Sequence, residues 1–454
     1  MTRIELFDDL TRRELEELAS YFPKDKPLYA VGGCVRDYLR GEKSYDVDLS
    51  GGVKPDELIE ILKNSPFGVV SASPRLGTVI VKGKNTYEYT TFRIDSYPAG
   101  SGVHTPTEVE FTDDLTVDAK RRDFKCNAIY CQIDDGNIID PLGGINDIER
   151  SILSTTVNPD VVLSQDGLRI LRLARFVSTL GYEIESNTYD SAKRLVGRLN
   201  EISVERIREE LNRILSGKYC YKALCLLRDI GALKIILPEL AYNDGVAQKV
   251  EYHKYDVLEH TFKVVEACSP QVRLAGLFHD IAKGVCQDKD GNTYFHNVRG
   301  AEMTADIMTR LKYPNRQIER TSRMVRLHMF DVNGNTKESK CRRFIARNID
   351  VFKDMLDLFE ADSKGTGYFQ GSRTADRLRE IYAKMLEEKV PMSIKELAIN
   401  GNDLIALGYD GKDIGQALNE IWDIALRGCV ANDRDKLLGI AKRKVKSKDN
   451  KGKK

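Results

Sequence analysis

The chain has 454 residues, of which 41% are hydrophobic and 31% are charged. That length predicts two to four domains with hydrophobic cores, which excludes a chain that is disordered throughout. No stretch approaches the roughly 18 to 20 apolar residues of a membrane helix, and the segment MTRIELFDDL has no secretion signal. The nine cysteines include no CxxC pair. We therefore expect a cytoplasmic protein without a membrane partner or a disulfide framework.

The net charge of +1 hides an uneven distribution along the chain. Residues 442–454 carry eight lysines and arginines against one aspartate, so this end has a charge of +7 and the remainder −6. We predict that this end is a disordered basic tail. Contact of the remaining chain with nucleic acid then depends on local basic patches rather than on a globally basic surface.

The N-terminal third mixes short strands with two helices, which predicts an α/β head with an antiparallel-rich sheet. Helical spacing of apolar residues predicts helices near DLTRRELEELASYF and KPDELIEILKN. Alternating, β-branched and aromatic residues predict strands at PLYAVGG, YDVDLS, GTVIVKG, YEYTTFRI, VEFT and CNAIYCQI.

Beyond Pro141 the pattern becomes helical and stays so to the C-terminus, in segments such as DGLRILRLARFVSTLG and ERIREELNRILSG. We therefore predict the α+β fold class, with a mixed α/β head followed by all-α domains. The predicted parts are a head (1–155), a helical neck (156–245), a helical body (246–385), a helical tail (386–441) and the disordered end (442–454).

Two carboxylates behind a glycine turn are the most informative feature of the head. Gly32 and Gly33 join a predicted strand to a predicted helix, where free backbone N–H groups can hold phosphate. Asp46 and Asp48 flank Val47 in the next predicted strand, so their side chains share a face about 7 Å apart. Folding gains nothing from two like charges there, whereas two divalent ions bound to a triphosphate require them.

These residues carry a resemblance to a known family. GGCVRD at 32–37 followed by Asp46-Val47-Asp48 resembles the head of the tRNA nucleotidyltransferase (CCA-adding enzyme) and bacterial poly(A) polymerase family, class II type. Further motifs that resemble the family's follow in its order over about residues 28–215. They are RRDFKCNA at 121–128, DPLGG at 140–144, QDGLRILRLARF at 165–176 and ISVERIREEL at 202–211.

The resemblance implies an enzyme that adds C and A to tRNA 3′ ends from CTP and ATP, without a template. Two Mg²⁺ ions would be held by Asp46 and Asp48, with Glu88 as a candidate third carboxylate. tRNA would be bound along its acceptor stem and elbow, and no protein partner is evident. The implied nucleotide-binding residues are Gly32, Gly33, Arg36, Arg122, Asp123, Asn127, Asp166, Arg169, Arg172 and Arg175.

Asp166 and Arg169 have side chains suited to the selection of bases. Three positions apart on a predicted helix, they would be neighbours. A carboxylate accepts from an exocyclic amine, and a guanidinium donates to a ring acceptor. Cytosine and adenine present an amine beside a ring acceptor, whereas uracil and guanine put a carbonyl oxygen where the amine should be. The resemblance assigns base selection to this pair, triphosphate or RNA phosphate to Arg172 and Arg175, and sugar contacts to Asp123 and Asn127. A structural salt bridge of Asp123 is the alternative.

Two positions depart from the family's pattern. Gln165 stands where the family has Glu, which removes a charge beside Asp166. The loop 97–110 contains GSGVHTP in place of the family's Asp- and Arg-containing segment that helps to switch from C to A. An enzyme that adds only CC or only A, or a poly(A) polymerase, is therefore an alternative.

Five of the six histidines lie between residues 253 and 328. His279-Asp280 in RLAGLFHDIAKG resembles the metal site of an HD domain, which predicts one in the helical body. His253 is expected to be structural or RNA-facing. Imidazole with carboxylate suits Mn, Ni, Co, Fe or Zn, and a metal-dependent phosphohydrolase is the alternative activity from a second class. The candidate ligands are His260, His279, Asp280, His296, His328 and Asp331.

Overall fold

The computed structural model describes residues 7–44, 46–96, 108–368 and 371–451, with the backbone alone from 444 onward. The chain divides into two compact units, residues 1–238 and 239–454. The predicted boundary near 245 lies close to this division, and the boundaries near 155 and 385 stay predictions. Within the described ranges, every helix is too short or too polar to cross a lipid bilayer.

The head of the N-terminal unit mixes strands and helices as predicted. Its elements are α1 Asp9–Ala19, β1 Tyr29–Val31, α2 Gly33–Leu39, β2 Asp48–Gly51, α3 Pro55–Leu62, β3 Gly68–Ser73, β4 Thr78–Lys82, β5 Thr86–Thr91, β6 Arg93–Ser96, β7 Glu108–Phe111, α4 Leu115–Arg121, β8 Tyr130–Gln132, β9 Ile138–Ile139, α5 Gly144–Glu149 and β10 Ile152–Leu153. Short 3-10 helices lie at Pro74–Leu76 and Lys125–Asn127.

Seven of these strands form one sheet in the order β3-β4-β5-β2-β1-β8-β9. Every neighbouring pair is antiparallel except β2 with β5, so the predicted antiparallel-rich sheet is confirmed. Val31 of β1 lies opposite Asp48 of β2, which lies opposite Glu88 of β5. This register brings the glycine turn after β1 and two carboxylates to one edge of the sheet.

The neck consists of helices and one short strand. Its elements are α6 Pro159–Gln165, α7 Leu168–Leu180, β11 Glu183–Ile184, α8 Ser186–Arg194, a 3-10 helix Val196–Glu201, α9 Val204–Ser216, α10 Cys220–Asp229, α11 Ala232–Ile236 and α12 Pro238–Ala241, which spans the division between the units. Ile170, Leu171 and Leu173 of α7 are fully buried, so this helix is part of the core of the unit.

The helix predicted from residue 165 onward is broken in the structure. Gln165 ends α6 and Asp166 is extended, with φ −141° and ψ 108°. The Asp166 carboxylate accepts a hydrogen bond from the backbone N–H of Leu168 at 2.9 Å, and a short polar side chain in this position starts a new helix. The prediction that Asp166 and Arg169 share a helix is therefore wrong, because Asp166 precedes α7.

The C-terminal unit is helical. Its remaining elements are α13 Val257–Ala267, α14 Arg273–Phe278, α15 Lys283–Cys286, α16 His296–Arg310, α17 Asn315–Leu327, α18 Glu338–Arg347, α19 Phe352–Gly365, α20 Arg373–Glu387, a 3-10 helix Ile394–Glu396, α21 Gly401–Ile405, α22 Gly411–Leu426 and α23 Arg434–Lys451. α23 extends to Lys451, where the sequence predicted a disordered end from 442. Lysine and arginine favour helix, and no proline interrupts this stretch.

The two glycines of the DPLGG motif have different structural requirements, which a pair of variants can separate. A Cβ on Gly144 would lie 2.2 Å from the Lys125 carbonyl oxygen. A Cβ on Gly143 would meet nothing within 4 Å, so the only cost there is the backbone strain of a φ of +78°. Gly143→Ala should cost about 1 to 2 kcal/mol in the free energy of unfolding. Gly144→Ala should cost more, because the backbone must move. Urea unfolding of both variants measures this, and an equal cost would contradict it.

Candidate active site

One cavity of about 750 Å³ in the N-terminal unit gathers the head and neck residues that the sequence singled out. All twelve predicted catalytic and nucleotide-binding residues line it. We call it the N-terminal cavity. Its other lining residues are Glu88, Arg93, Asp95, Arg121, Leu168, Phe176, Arg206 and Arg213. Nine arginines against six carboxylates make the lining positively charged, which suits a polyphosphate ligand.

Asp48 is the first residue of β2, Glu88 lies in β5, and Asp46 lies two residues before β2. Asp46 and Asp48 are exposed and Val47 between them is buried, so the predicted common face is present. The surrounding protein desolvates the Asp48 carboxylate, and the charges of Asp46 and Glu88 repel it, so the pKa of Asp48 is raised. Carboxylate oxygens in such a like-charged group are the ligands that Mg²⁺ prefers, and a bound cation relieves the repulsion.

The glycine turn lies directly beside Asp48. Gly32 has φ 82° and ψ −129°, a conformation that glycine alone adopts without strain. A Cβ there would lie 3.8 Å from the Asp48 carboxylate and 4.0 Å from the Arg122 guanidinium. Glycine at this position therefore leaves backbone next to the carboxylate open for a ligand to approach.

The arginines of the RRDF and GGCVRD motifs are held in place by hydrogen bonds. Arg36 is buried and donates to the Asn127 side-chain oxygen at 2.6 Å. Arg122 donates to the Tyr130 hydroxyl at 3.1 Å and to Asp118 at 3.2 Å. Asp118 was not predicted from the sequence, and it is fully buried. These guanidinium groups are therefore oriented before any ligand binds.

Asp123 forms an ion pair with Arg172. The Nε of Arg172 donates to the Asp123 carboxylate at 2.7 Å. Burial alone would raise the pKa of Asp123, but the Arg172 charge and its hydrogen bond hold that pKa down at about 2. The structure thus shows the salt bridge that the sequence analysis gave as the alternative to a sugar contact.

Asp166 and Arg169, the pair predicted to select bases, are both held by hydrogen bonds to the protein. The Nη1 of Arg169 donates to the Val162 carbonyl and to the Gln165 side-chain oxygen, each at 3.0 Å, and Nη2 donates to the Arg121 carbonyl at 2.7 Å. Gln165, which departs from the family's pattern, is thus a neutral acceptor for Arg169. Asp166 accepts from Arg206 at 3.0 Å.

Arginines of α7 and α9 complete the cavity. Arg175 donates to Glu210 at 3.0 Å, and desolvation with the nearby Arg172 charge lowers the pKa of Arg175 to about 10. The guanidinium carbons of Arg36, Arg172 and Arg175 lie 4.6 to 5.7 Å from the centre of the Phe176 ring. Sequence analysis did not assign Arg206 and Arg213 to the nucleotide site, although their spacing in ISVERIREELNRIL places them on one helix face. Loop residues 97–107, predicted to influence A addition, lie outside the described residues.

The C-terminal unit contains two groups of candidate metal ligands. Ligand atoms of three residues approach within 4.8 Å of one another in each group, and the carboxylates of the N-terminal cavity form no group this tight among the described residues. The groups are His260, His279 and Asp362, and Asp280, His296 and His328. Asp280 joins them, because one of its oxygens lies 3.1 Å from His279 Nε2 and the other 3.3 Å from His296 Nε2.

The histidines of these groups are oriented as ligands. The Nδ1 atoms of His279, His296 and His328 lie 2.6 to 2.8 Å from backbone carbonyl oxygens, which only accept hydrogen bonds. In the neutral imidazole each Nδ1 therefore carries the proton, and each Nε2 has a lone pair for a cation. Burial lowers the pKa of His279, but Asp280 and Asp362 outweigh it and raise that pKa to about 10. Without a metal, Nε2 of His279 therefore also carries a proton, which a bound cation would displace.

Two corrections concern the predicted ligands. Asp331 does not belong to either group, because its carboxylate accepts from the Thr336 backbone N–H at 2.7 Å and pairs with Arg377. Asp362 of α19 takes part instead, and its sequence context, FEADSKG, has no histidine to draw attention to it. His253 lies outside both groups, with its ring 4.8 Å from that of His260.

Comparison with known families matches three stretches of the chain. Residues 28–154 match the poly A polymerase head domain, and residues 181–243 match a domain described as "Probable RNA and SrmB-binding site of polymerase A". Residues 295–441 match tRNA nucleotidyltransferase domain 2. The chain belongs to the tRNA nucleotidyltransferase and poly(A) polymerase family. The predicted family is thereby confirmed, and its members are enzymes.

Similar proteins within this family differ in their products. An A-adding tRNA nucleotidyltransferase of Deinococcus radiodurans is 29% identical, over 91% of this chain and 94% of its own length. A CC-adding tRNA nucleotidyltransferase of Thermus thermophilus is 29% identical, over 91% of this chain and 93% of its own length. A CCA-adding enzyme of Geobacillus thermodenitrificans is 28% identical, over 90% of this chain and 91% of its own length. Among solved structures, the Bacillus stearothermophilus CCA-adding enzyme in complex with CTP has a TM-score of 0.68 at 25% identity. The match covers 97% of this chain and 98% of that structure's chain.

The ion pair between Asp123 and Arg172 predicts how stability depends on pH. The folded pKa of Asp123 is about 2 against an ordinary 3.8, so ionised Asp123 stabilises the fold above about pH 4 and this contribution is lost as the pH falls through 2. Asp123→Asn should lower the free energy of unfolding by about 2 kcal/mol at pH 7 and by less at pH 3. Urea unfolding at both pH values measures the difference.

Asp160→Asn is the matched control, because Asp160 forms an exposed pair with Arg194. It should change stability far less at either pH. If Asp123→Asn lowered the free energy of unfolding equally at pH 7 and pH 3, the Asp123–Arg172 pair would not be what holds this carboxylate ionised.

Proposed function

We propose that this chain adds C and A to tRNA 3′ ends from CTP and ATP, without a template and with release of pyrophosphate. The observation that carries the proposal is that twelve residues from separate sequence motifs line one cavity. They combine exposed carboxylates on one strand face, a glycine turn beside them and anchored arginines. The name of the G. thermodenitrificans CCA-adding enzyme and the CTP complex of the B. stearothermophilus CCA-adding enzyme support the same activity.

Different residues of the cavity have different roles in the reaction. The terminal RNA hydroxyl attacks the α-phosphorus, and the anchored arginines Arg122, Arg172 and Arg175 hold and neutralise the triphosphate. Asp46 and Asp48, with Glu88 beside them, would hold two Mg²⁺ ions, which when bound activate the attacking oxygen and stabilise the leaving pyrophosphate. Catalysis therefore rests on positioning and charge neutralisation.

Selection of the base falls to Asp166 and Arg169. A carboxylate oxygen accepts from the exocyclic amine of cytosine or adenine, while the guanidinium donates to the adjacent ring acceptor. Uracil and guanine present a carbonyl oxygen to the carboxylate, and two acceptors repel. Arg169 keeps its anchors to Val162, Gln165 and Arg121 and still has donors left, because a guanidinium carries five N–H groups.

A 3′-end extension assay tests the proposal. tRNA ending at the discriminator base, at C and at CC is offered with Mg²⁺ and each nucleotide, and the ends are sequenced. We expect CCA, with UTP and GTP refused. A stop at CC or extension of the CC substrate alone would identify a specialist, and long A tracts would identify a poly(A) polymerase. No extension of any substrate would contradict the proposal.

Asp48→Asn should lower the rate of addition at least about 100-fold, because it removes a ligand for ions worth several kcal/mol in the transition state. Asp46→Asn should do the same. Asp135→Asn is the control, since Asp135 is exposed on the same domain and does not line the cavity. If Asp48→Asn retained full activity, the assignment of Asp48 as a metal ligand would be wrong. This conclusion does not depend on which product the wild type makes.

A second proposal concerns the C-terminal unit, where the two ligand groups favour divalent metal binding. The Nε2 atoms of four histidines and the oxygens of Asp280 and Asp362 converge there. Imidazole with carboxylate suits Mn, Ni, Co, Fe or Zn. A metal bound there would supply activated water for phosphoester hydrolysis, so a metal-dependent phosphohydrolase is the second candidate activity.

Metal content of the purified protein tests this site separately from nucleotide addition. After Mn²⁺ loading and gel filtration, mass spectrometry should find metal retained by the wild type and lost from His279→Ala and Asp280→Ala. His253→Phe is the control, because it keeps a ring against His260 outside both groups. Addition of nucleotides should be unchanged in His279→Ala. Equal metal content in the wild type and His279→Ala would contradict the site.

A further inference from the structure

The carboxylate of Asp166 is oriented by an arginine from another helix. Asp166 is extended in the break between α6 and α7, so no helical turn fixes its side chain. One oxygen accepts from the Leu168 backbone N–H at 2.9 Å, and the other accepts from Arg206 Nη2 at 3.0 Å. The residue is 9% exposed. The start of α7 and the side chain of Arg206 therefore hold the two oxygens from different sides.

Arg206 belongs to a row of charged residues on α9. Arg206, Glu210 and Arg213 are four and three positions apart, so they lie on one face of the helix. Glu210 is buried and lies 3.0 Å from Arg175 and 3.8 Å from Arg213. This face of α9 thus supports both the base-selecting carboxylate and an arginine of α7, and Arg206 and Arg213 also line the N-terminal cavity.

The orientation of a carboxylate decides from which base it accepts a hydrogen bond. An ionised carboxylate is only an acceptor, and each oxygen can accept two hydrogen bonds, so Asp166 can keep Arg206 and still accept from an amine. A carboxylate that is free to rotate no longer holds an oxygen at the position of the amine, so it distinguishes an amine from the carbonyl oxygen of uracil or guanine less well. The hydrogen bond that Arg206 donates to Asp166 at 3.0 Å disfavours this rotation.

We propose that Arg206 is a positioning residue for base selection. It holds the Asp166 carboxylate in the orientation of an acceptor for the exocyclic amine and thereby excludes UTP and GTP. This inference rests on the proposed function, because it takes Asp166 to contact the incoming base. Arg206 acts through Asp166 and is not assigned a contact with the nucleotide.

Steady-state kinetics on tRNA that lacks its CCA end test the role of Arg206. kcat and KM are measured for CTP, ATP, UTP and GTP with the wild type, Arg206→Ala and Arg206→Lys. Arg206→Ala should lose about tenfold or more of the preference for CTP over UTP, the effect of one charged hydrogen bond. The loss should arise chiefly from a higher KM for CTP with little change in kcat. Arg206→Lys should restore part of the preference, since it keeps the charge but not the planar fork.

Arg194→Ala is the matched control. It removes an arginine from an exposed pair with Asp160 in the same unit, outside the cavity, and should leave the preference unchanged. A raised KM for tRNA with unchanged preference among nucleotides would show that Arg206 contacts RNA, and would overturn the inference. An equal fall in rate for all four nucleotides in both Arg206 variants would show a merely structural role, and would overturn it too.

Binding measured without RNA separates this inference from the proposed function. Calorimetry compares the affinities of CTP and UTP for the wild type and for Arg206→Ala. A wild type that extends no RNA contradicts the proposed function, while a preference for CTP that disappears in Arg206→Ala still supports the role of Arg206. Equal binding of CTP and UTP by the wild type overturns the inference.

Discussion

The ion pair between Asp123 and Arg172 connects the two halves of the candidate active site. Asp123 comes from the RRDF motif of the head and Arg172 from α7 of the neck, 49 positions later in the chain. The Nη2 of Arg169 adds a second link by donating to the Arg121 carbonyl. Because Asp123 is buried, removal of Arg172 would leave an uncompensated charge, so the pair resists separation. The placement of α7 against the head, and with it the shape of the cavity, depends on these contacts.

Other arginines of the cavity are also held in place by protein partners. Arg36, Arg122 and Arg175 each have a protein partner, and yet the nine arginines outnumber the six carboxylates of the lining. A guanidinium carries five donors, so it can keep its anchor and still bind phosphate. The arginines are therefore preorganised, and little rotamer entropy remains to be lost when a triphosphate binds.

The two units offer different ligand chemistry for metals. The N-terminal cavity presents exposed carboxylates on a strand, which suit a hard ion that keeps its water and binds phosphate oxygens. The C-terminal groups present buried imidazole nitrogens with two carboxylates, which suit transition metals. This difference in ligand type lets each centre be tested by metal content or activity without the other.

Local sequence determined much of this protein. Every predicted head strand is present, because alternation of side chains is a local property, and Asp46 and Asp48 share a face for the same reason. Long-range contacts were decided by tertiary structure alone. The sequence placed Asp166 on a helix that the structure breaks and proposed Asp331 where Asp362 takes part. It did not predict the contact of Arg206 with Asp166, which lies 40 positions away. Spacing along the chain does not encode which distant side chains meet, since packing of the helices sets those distances.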